Sequence, residues 1–100
     1  ETIKTKCLNN NIMPIFLTLP TINPTNIYKA FQEETVSDWQ RRFATVNAYI
    51  RQQRHIDLST KLPEKGILPT YYALDGLHLD AEGKRLMGEA INEQWDEAIK

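Results

Sequence analysis

Residues 12–19 read Ile-Met-Pro-Ile-Phe-Leu-Thr-Leu, and this stretch decides the fold class. Its two alternating faces are both apolar, which is typical of a strand buried between two helical layers of a parallel sheet. Pro14 counts slightly against a strand because proline cannot donate to a ladder. We therefore predict a strand at residues 12–19, followed by a loop at residues 20–24, where two prolines bracket the chain.

Helices are predicted on both sides of this strand. Residues 1–10 carry apolar side chains at helical spacing and run into three asparagines, a residue type that tolerates the left-handed conformation at helix ends. Residues 25–34 are a candidate for a short helix. A longer helix is predicted from Thr35, with Thr35 and Asp38 as its capping signature. Its apolar stripe consists of Val36, Trp39, Phe43, Val46 and Ile50.

The second half of the chain predicts one more strand and one more helix. Residues 55–59 alternate like a short strand, and residues 61–74 are expected to be irregular because they contain two prolines and a glycine. A final helix is predicted at residues 81–99, capped by Asp80. Its apolar face consists of Leu86, Met87, Ala90, Ile91 and Ala98.

This order of elements predicts an α/β layer protein with a right-handed crossover between two parallel strands. Such a sheet has two open edges, although its first strand is apolar on both faces as in the middle of a wider sheet. We therefore expect residues 1–100 to be one portion of a larger α/β domain. Self-association that supplies the missing strands is the alternative.

The composition excludes several classes of function. The chain has 100 residues and a formal net charge of -1, which gives no basic field for nucleic acid. Its longest apolar run is too short to span a bilayer. A single cysteine excludes an internal disulfide, and His55 and His78 are too far apart for zinc-type spacing with Cys7. We expect no metal, no organic cofactor, no nucleic acid partner and no membrane span.

The segment Asp75-Gly76-Leu77-His78 is the strongest candidate for chemistry. In a turn, residues three apart share a side, so the carboxylate of Asp75 can reach one imidazole nitrogen of His78 and leave the other free. A carboxylate behind an imidazole is the orienting half of an acyl-transfer triad. The alternative is a local hydrogen bond at the entrance of a helix.

The context of this segment resembles the last motif of the SGNH hydrolases, also called GDSL esterases and lipases. Residues 75–83, Asp-Gly-Leu-His-Leu-Asp-Ala-Glu-Gly, lead into the last helix, where that family places a catalytic Asp and His three residues apart. Residues 18–24 are similar to the strand end and loop that lie upstream in such enzymes. Residues 39–50, with Arg42 and Asn47, fit the helix between them.

This resemblance implies that residues 1–100 are the carboxyl-terminal segment of a single SGNH domain. The implied fold is part of a three-layer α/β/α flavodoxin-like architecture with parallel strands, here about two strands and three helices. The implied activity of the complete enzyme is hydrolysis of carboxylic esters, with His78 as general base and acid and Asp75 as its orienting carboxylate.

The chain departs from the family in two motifs, because it has no Gly-Asp-Ser and no Gly-x-Asn-Asp segment. The resemblance therefore implies that the nucleophile and the oxyanion donor lie in a missing amino-terminal part, and that the chain alone is inert. The alternative function is a non-catalytic interaction module that completes its sheet with a partner chain.

Three further residues could take part in chemistry. Tyr71 and Tyr72 precede the Asp75 turn and are weak candidates for lining an acyl or sugar pocket, with packing under the loop as the alternative. Asp57, near the second strand, either supports the site or marks the strand's edge.

The other reactive side chains have structural interpretations. Ser37 is expected in the first turn of the Trp39 helix, and Ser59 at the end of the second strand lacks a nucleophile-elbow context. Cys7 is interpreted as a small core residue and His55 as a surface residue. Trp39 and Trp95 are expected in the core.

Overall fold

The computed structural model describes residues 2–100 as a mixed α/β chain. In order, its elements are α1 (Thr2–Asn9), β1 (Phe16–Leu17), α2 (Pro24–Phe31), α3 (Trp39–Ile50), β2 (His55–Ile56), a 3-10 turn (Leu58–Thr60) and α4 (Ala81–Ala98). The two strands pair in parallel, with Phe16 opposite His55 and Leu17 opposite Ile56. The predicted α/β class and parallel pairing are confirmed, with four α-helices rather than about three.

β1 is much shorter than the predicted strand at residues 12–19. The ladder is limited by its partner, because β2 ends at Ile56 and Asp57 already caps the 3-10 turn. Upstream, Ile12 donates its backbone N–H to the carbonyl of Cys7 (2.8 Å) as the chain leaves α1. This exit passes through Asn11 with φ 61°, which confirms that asparagines end the first helix. Ile12 and Met13 are consequently 56% and 51% exposed, not buried.

α2 confirms the short helix that was a candidate at residues 25–34. It starts one residue earlier than expected, because Pro24 occupies the first helical turn, where its missing N–H costs no hydrogen bond. Asn23 caps the helix by accepting the backbone N–H of Asn26 (3.1 Å). The loop after β1 is therefore tied directly to the start of a helix.

α3 begins at Trp39, so the predicted start at Thr35 is wrong. Asp38 takes the N-cap position but makes no capping bond, because its carboxylate binds Arg41 (2.6 Å) and Arg42 (2.9 Å). Val36 and Val46 are exposed, which removes both from the predicted apolar stripe. The inward face of α3 consists of Trp39, Phe43, Asn47 and Ile50.

α4 packs four of the five residues of its predicted apolar face, all except Leu86, into the cluster with β2. Met87 and Ile91 lie against the core cluster that joins Ile56 to the helix. Asp80 stands at the N-cap, but the capping bond predicted for it is absent, because its carboxylate accepts the backbone N–H of Leu74 instead (2.6 Å).

Within residues 2–100, the structure contains no helix that is both long and apolar enough to cross a membrane.

Within residues 2–100, two clusters of buried apolar side chains contribute to the core. One joins β2, the 3-10 turn and α4, and the other joins the loop after β1 to α2 and α3 through Ile22, Ile27 and Trp39. Trp39 is buried as predicted and meets Phe43 edge to face at 5.5 Å. Trp95 is 45% exposed, so its predicted place in the core is wrong.

Asn47 ties α3 to the chain leaving β1. Its side chain is almost fully buried, accepts the backbone N–H of Leu19 (2.7 Å) and donates to the backbone carbonyl of the same residue (3.0 Å). Both polar ends of the amide are therefore satisfied by one backbone unit.

We expect Asn47→Ala to lower the free energy of unfolding by about 3 kcal/mol, because two partly buried backbone groups of Leu19 lose their partner. Urea denaturation measures this change. Asn92→Ala, at an exposed position of α4, is the matched control and should change stability by less than about 0.5 kcal/mol. Equal effects of the two substitutions would contradict the structural role of Asn47.

Candidate functional site

A closed loop at residues 72–80 presents Asp75 and His78. At its base, Asp80 donates its backbone N–H to the carbonyl of Tyr72 (2.8 Å), and its carboxylate accepts the N–H of Leu74. Ala73 is fully buried beneath the loop. Because the base is bonded twice and anchored by a buried side chain, the turn that it carries has a defined position just before α4.

The turn docks on the loop that leaves the carboxyl end of β1. Gly76 accepts the backbone N–H of Asn23 (3.0 Å), and the side chain of Asn23 donates to the carbonyl of Leu68 (3.1 Å). Gly76 has φ 81°, a conformation that favours glycine. A Cβ at this position would stand 2.4 Å from the carbonyl oxygen of Asn23. Both the backbone conformation and the close approach therefore require glycine between Asp75 and His78.

We expect Gly76→Ala to lower the free energy of unfolding by about 3 kcal/mol, from left-handed strain together with the overlap at Asn23. Gly66→Ala is the matched control, because Gly66 also has positive φ (78°) but nothing lies within 4 Å of its missing Cβ. The control should cost about 1 kcal/mol, from strain alone. Thermal and urea unfolding measure the difference, and equal losses would contradict the close docking of the turn.

Asp75 and His78 form a hydrogen-bonded pair. Nδ1 of His78 lies 2.8 Å from Oδ2 of Asp75, while Oδ1 accepts the backbone N–H groups of Leu77 (2.9 Å) and His78 (2.8 Å). The carboxylate is thus fixed by three bonds. The His78 side chain is 72% exposed, and Nε2 makes no hydrogen bond within residues 2–100. The predicted reach of Asp75 to one imidazole nitrogen is present, with the other nitrogen open to solvent.

This bonding fixes the charge of Asp75. The hydrogen bond from the His78 side chain, helped by the two backbone N–H groups, lowers the pKa of Asp75 to about 2. The carboxylate is therefore ionised at every pH at which enzymes commonly act. Because folding lowers this pKa, the hydrogen bonds of the ionised Asp75 carboxylate stabilise the folded state at pH values above the ordinary pKa of an aspartate. This stabilisation is lost as the pH falls through about 2.

The aromatic neighbour of the imidazole is Phe31. The Phe31 and His78 rings meet edge to face with centroids 6.1 Å apart. Phe31 is in the last turn of α2, so the docking of α2 on the Gly76 turn brings it there. No local pattern indicated this contact, because it joins residues far apart in sequence. Tyr71 and Tyr72 pair with each other instead, at 4.5 Å.

The two serines of the chain lie in turns outside the loop that carries this pair. Ser59 belongs to the 3-10 turn rather than to the second strand, and its hydroxyl donates to Oδ1 of Asp57 (2.7 Å). Ser37 lies in the turn before α3, not in its first helical turn. Neither hydroxyl bonds to His78. His55 bonds to the carbonyl of Gln53 (2.8 Å), and Cys7 is half-buried in α1.

Asp57 organises the carboxyl end of β2 rather than the histidine. Its carboxylate binds Arg51 (3.0 Å), Ser59 and Thr18 (3.3 Å), and Arg51 also binds Glu64. Burial opposes ionisation of Asp57, but the bonds from Arg51 and Ser59 outweigh it and hold its pKa well below the usual range. Of the two open interpretations, these contacts favour the strand-edge role.

No metal site accompanies the pair. Within residues 2–100, no group of three or more His, Cys, Asp or Glu side chains is arranged to hold a metal ion.

The chain was also compared with protein-family models, with curated proteins and with solved structures, and none of these comparisons found a match. The interpretation of the site therefore depends on its own geometry.

Proposed function

We propose that residues 1–100 are the carboxyl-terminal part of an SGNH-type ester hydrolase, in which Asp75 and His78 are two members of a Ser-His-Asp triad. The observation that carries this proposal is the hydrogen bond from Nδ1 of His78 to an ionised carboxylate, combined with an Nε2 that faces solvent. This is the arrangement that a general base needs toward a serine hydroxyl.

The proposed chemistry uses the two imidazole nitrogens in different roles. Nε2 of His78 accepts the proton of a serine hydroxyl as its oxygen attacks the ester carbonyl, and returns that proton to the leaving alkoxide. Asp75 keeps the proton of the neutral imidazole on Nδ1 and stabilises the imidazolium formed in between. A carboxyl with a pKa of about 2 remains an anion throughout this cycle, as the orienting role requires.

The serine belongs to another part of the enzyme in this proposal. Ser59 is held by Asp57, and Ser37 lies before α3, so neither is placed to react through His78. The Gly-Asp-Ser and Gly-x-Asn-Asp motifs that the family uses are absent from the sequence. We therefore expect these residues alone to be inert toward esters.

The missing part would also complete the sheet. In the proposed three-layer α/β/α flavodoxin-like fold, β1 and β2 are two neighbouring parallel strands, and further strands pair at the open edge. Exposed apolar side chains at Leu8, Ile12 and Met13 line a groove of about 540 Å³ between α1, the segment leading into β1 and the turn before β2. Burying them under an added segment would remove apolar surface from water.

The same exposed groove favours the second candidate function, a non-catalytic interaction module. A partner strand placed there would cover Leu8, Ile12 and Met13 without any need for the Asp75–His78 pair. The two functions differ in one feature, which is whether the polypeptide that covers this groove carries a Gly-Asp-Ser serine.

The experiment is intact-mass spectrometry of the natively purified protein, followed by labelling with a fluorophosphonate that reacts with activated serines. We expect a Gly-Asp-Ser segment, in the same or an associated polypeptide, to take up the label and to hydrolyse p-nitrophenyl acetate. Labelling should depend on His78. A partner that covers the groove but carries no reactive serine would overturn the hydrolase proposal in favour of the interaction module.

A further inference from the structure

A second groove borders the Ile22–Ile27–Trp39 cluster at Trp39. It is formed by the amino-terminal half of α3 and the loop at residues 64–66, and its volume is about 330 Å³. This size lies within the range of pockets that hold small molecules. Nothing in the ester-hydrolase proposal uses this groove.

The floor of the groove is aromatic. Trp39 and Phe43 both line it, and their rings meet edge to face at 5.5 Å, so ring edges and faces are held in fixed orientations. Ala44 lines the wall next to them with a short side chain on an exposed helix position. Gly66 has nothing within 4 Å of its missing Cβ, which leaves the mouth open. Such a floor suits a flat aromatic ring.

The mouth of the groove carries a cation, Lys65, that forms no ion pair within the described residues 2–100. Glu64 lines the groove, but its carboxylate is already bound by Arg51. Arg41 shares the carboxylate of Asp38 with Arg42. Lys65, which also lines the groove, has no ion-pair partner within residues 2–100. An anionic group at the mouth would complement this unpaired ammonium.

We propose that this groove binds a small aromatic molecule that carries one anionic group. The ring lies against Trp39 and Phe43, and the anion lies beside Lys65. This binding is independent of ester hydrolysis, because it uses none of the residues of the Asp75–His78 pair.

The test is fluorescence titration with 8-anilinonaphthalene-1-sulfonate, an aromatic sulfonate. The chain has two tryptophans, so Trp95→Phe makes Trp39 the single tryptophan reporter without disturbing the core. We expect saturable quenching of Trp39 and binding at least about threefold tighter than that of the neutral N-phenyl-1-naphthylamine. Lys65→Gln should remove this preference for the sulfonate while leaving the neutral probe unaffected.

Replacing either of two alanines of α3 by phenylalanine tests where the probes bind. Ala44→Phe fills the groove and should weaken binding of both probes at least about tenfold. Ala48→Phe, at an exposed position on the same helix but outside the groove, should leave binding unchanged, and thermal melts confirm that both variants fold. Undiminished binding in Ala44→Phe would overturn the site. Equal weakening of both probes by Lys65→Gln would overturn the anionic ligand class.

Discussion

His78→Ala is expected to lower kcat for ester hydrolysis by about 10⁴-fold or more in the complete, serine-bearing enzyme. The substitution removes the group that accepts the serine proton and returns it to the leaving alkoxide. Folding should survive, because the imidazole is 72% exposed, and its interactions with Asp75 and Phe31 lie at the surface. We expect the free energy of unfolding to change by less than about 1 kcal/mol.

Steady-state kinetics of p-nitrophenyl acetate hydrolysis measure this change in kcat. His55→Ala is the matched control, since the chain has two histidines and His55 bonds to a backbone carbonyl at the start of β2. The His55→Ala enzyme should hydrolyse the ester at the wild-type rate. If His78→Ala keeps the wild-type rate, the assignment of His78 as general base is wrong.

Asp75→Asn is expected to lower kcat by about 10³- to 10⁴-fold, with little change in KM. The backbone N–H groups of Leu77 and His78 need an acceptor at the position of Oδ1, so the amide oxygen of the asparagine takes that place. Its NH₂ group then faces Nδ1 of His78 and can only donate. The proton of the neutral imidazole moves to Nε2, which loses the lone pair that accepts the serine proton.

Two measurements separate this effect from simple destabilisation. Imidazole ¹⁵N chemical shifts of His78 should report the proton on Nδ1 in the wild type and on Nε2 in Asp75→Asn, even in a chain that has no nucleophile. Asp96→Asn, at an exposed position of α4, is the matched control for kinetics. A loss of less than about tenfold in Asp75→Asn would mean that Asp75 only supports the turn.

The sequence predicted those parts of the fold that depend on local patterns. The helix end at Asn11, the buried Trp39 and the apolar face of α4 follow from residue conformational preference and from helical periodicity. The Asp75–His78 hydrogen bond was also predictable, because a three-residue spacing in a turn brings the two side chains together.

The errors arose where competing neighbouring side chains or segments far away in sequence decide the local structure. Asp38 was expected to complete a capping signature, but its carboxylate binds two arginines, and the helix starts later. The length of the strand predicted at residues 12–19 was overestimated, because the number of paired residues is set by β2, a segment far away in sequence. Phe31 beside His78 depends in the same way on the docking of α2.

The amide of Asn47 has a consequence for any wider sheet. Strands join a sheet through the free N–H and C=O groups of its edge strand, and Leu19 has already given both of its groups to Asn47. A strand added beside β1 must therefore diverge from it before Leu19. Diverging carboxyl ends open a crevice, which is where open α/β sheets bind their ligands. Asn47 thus determines how deep that crevice runs, beneath the loop that holds the Gly76 turn.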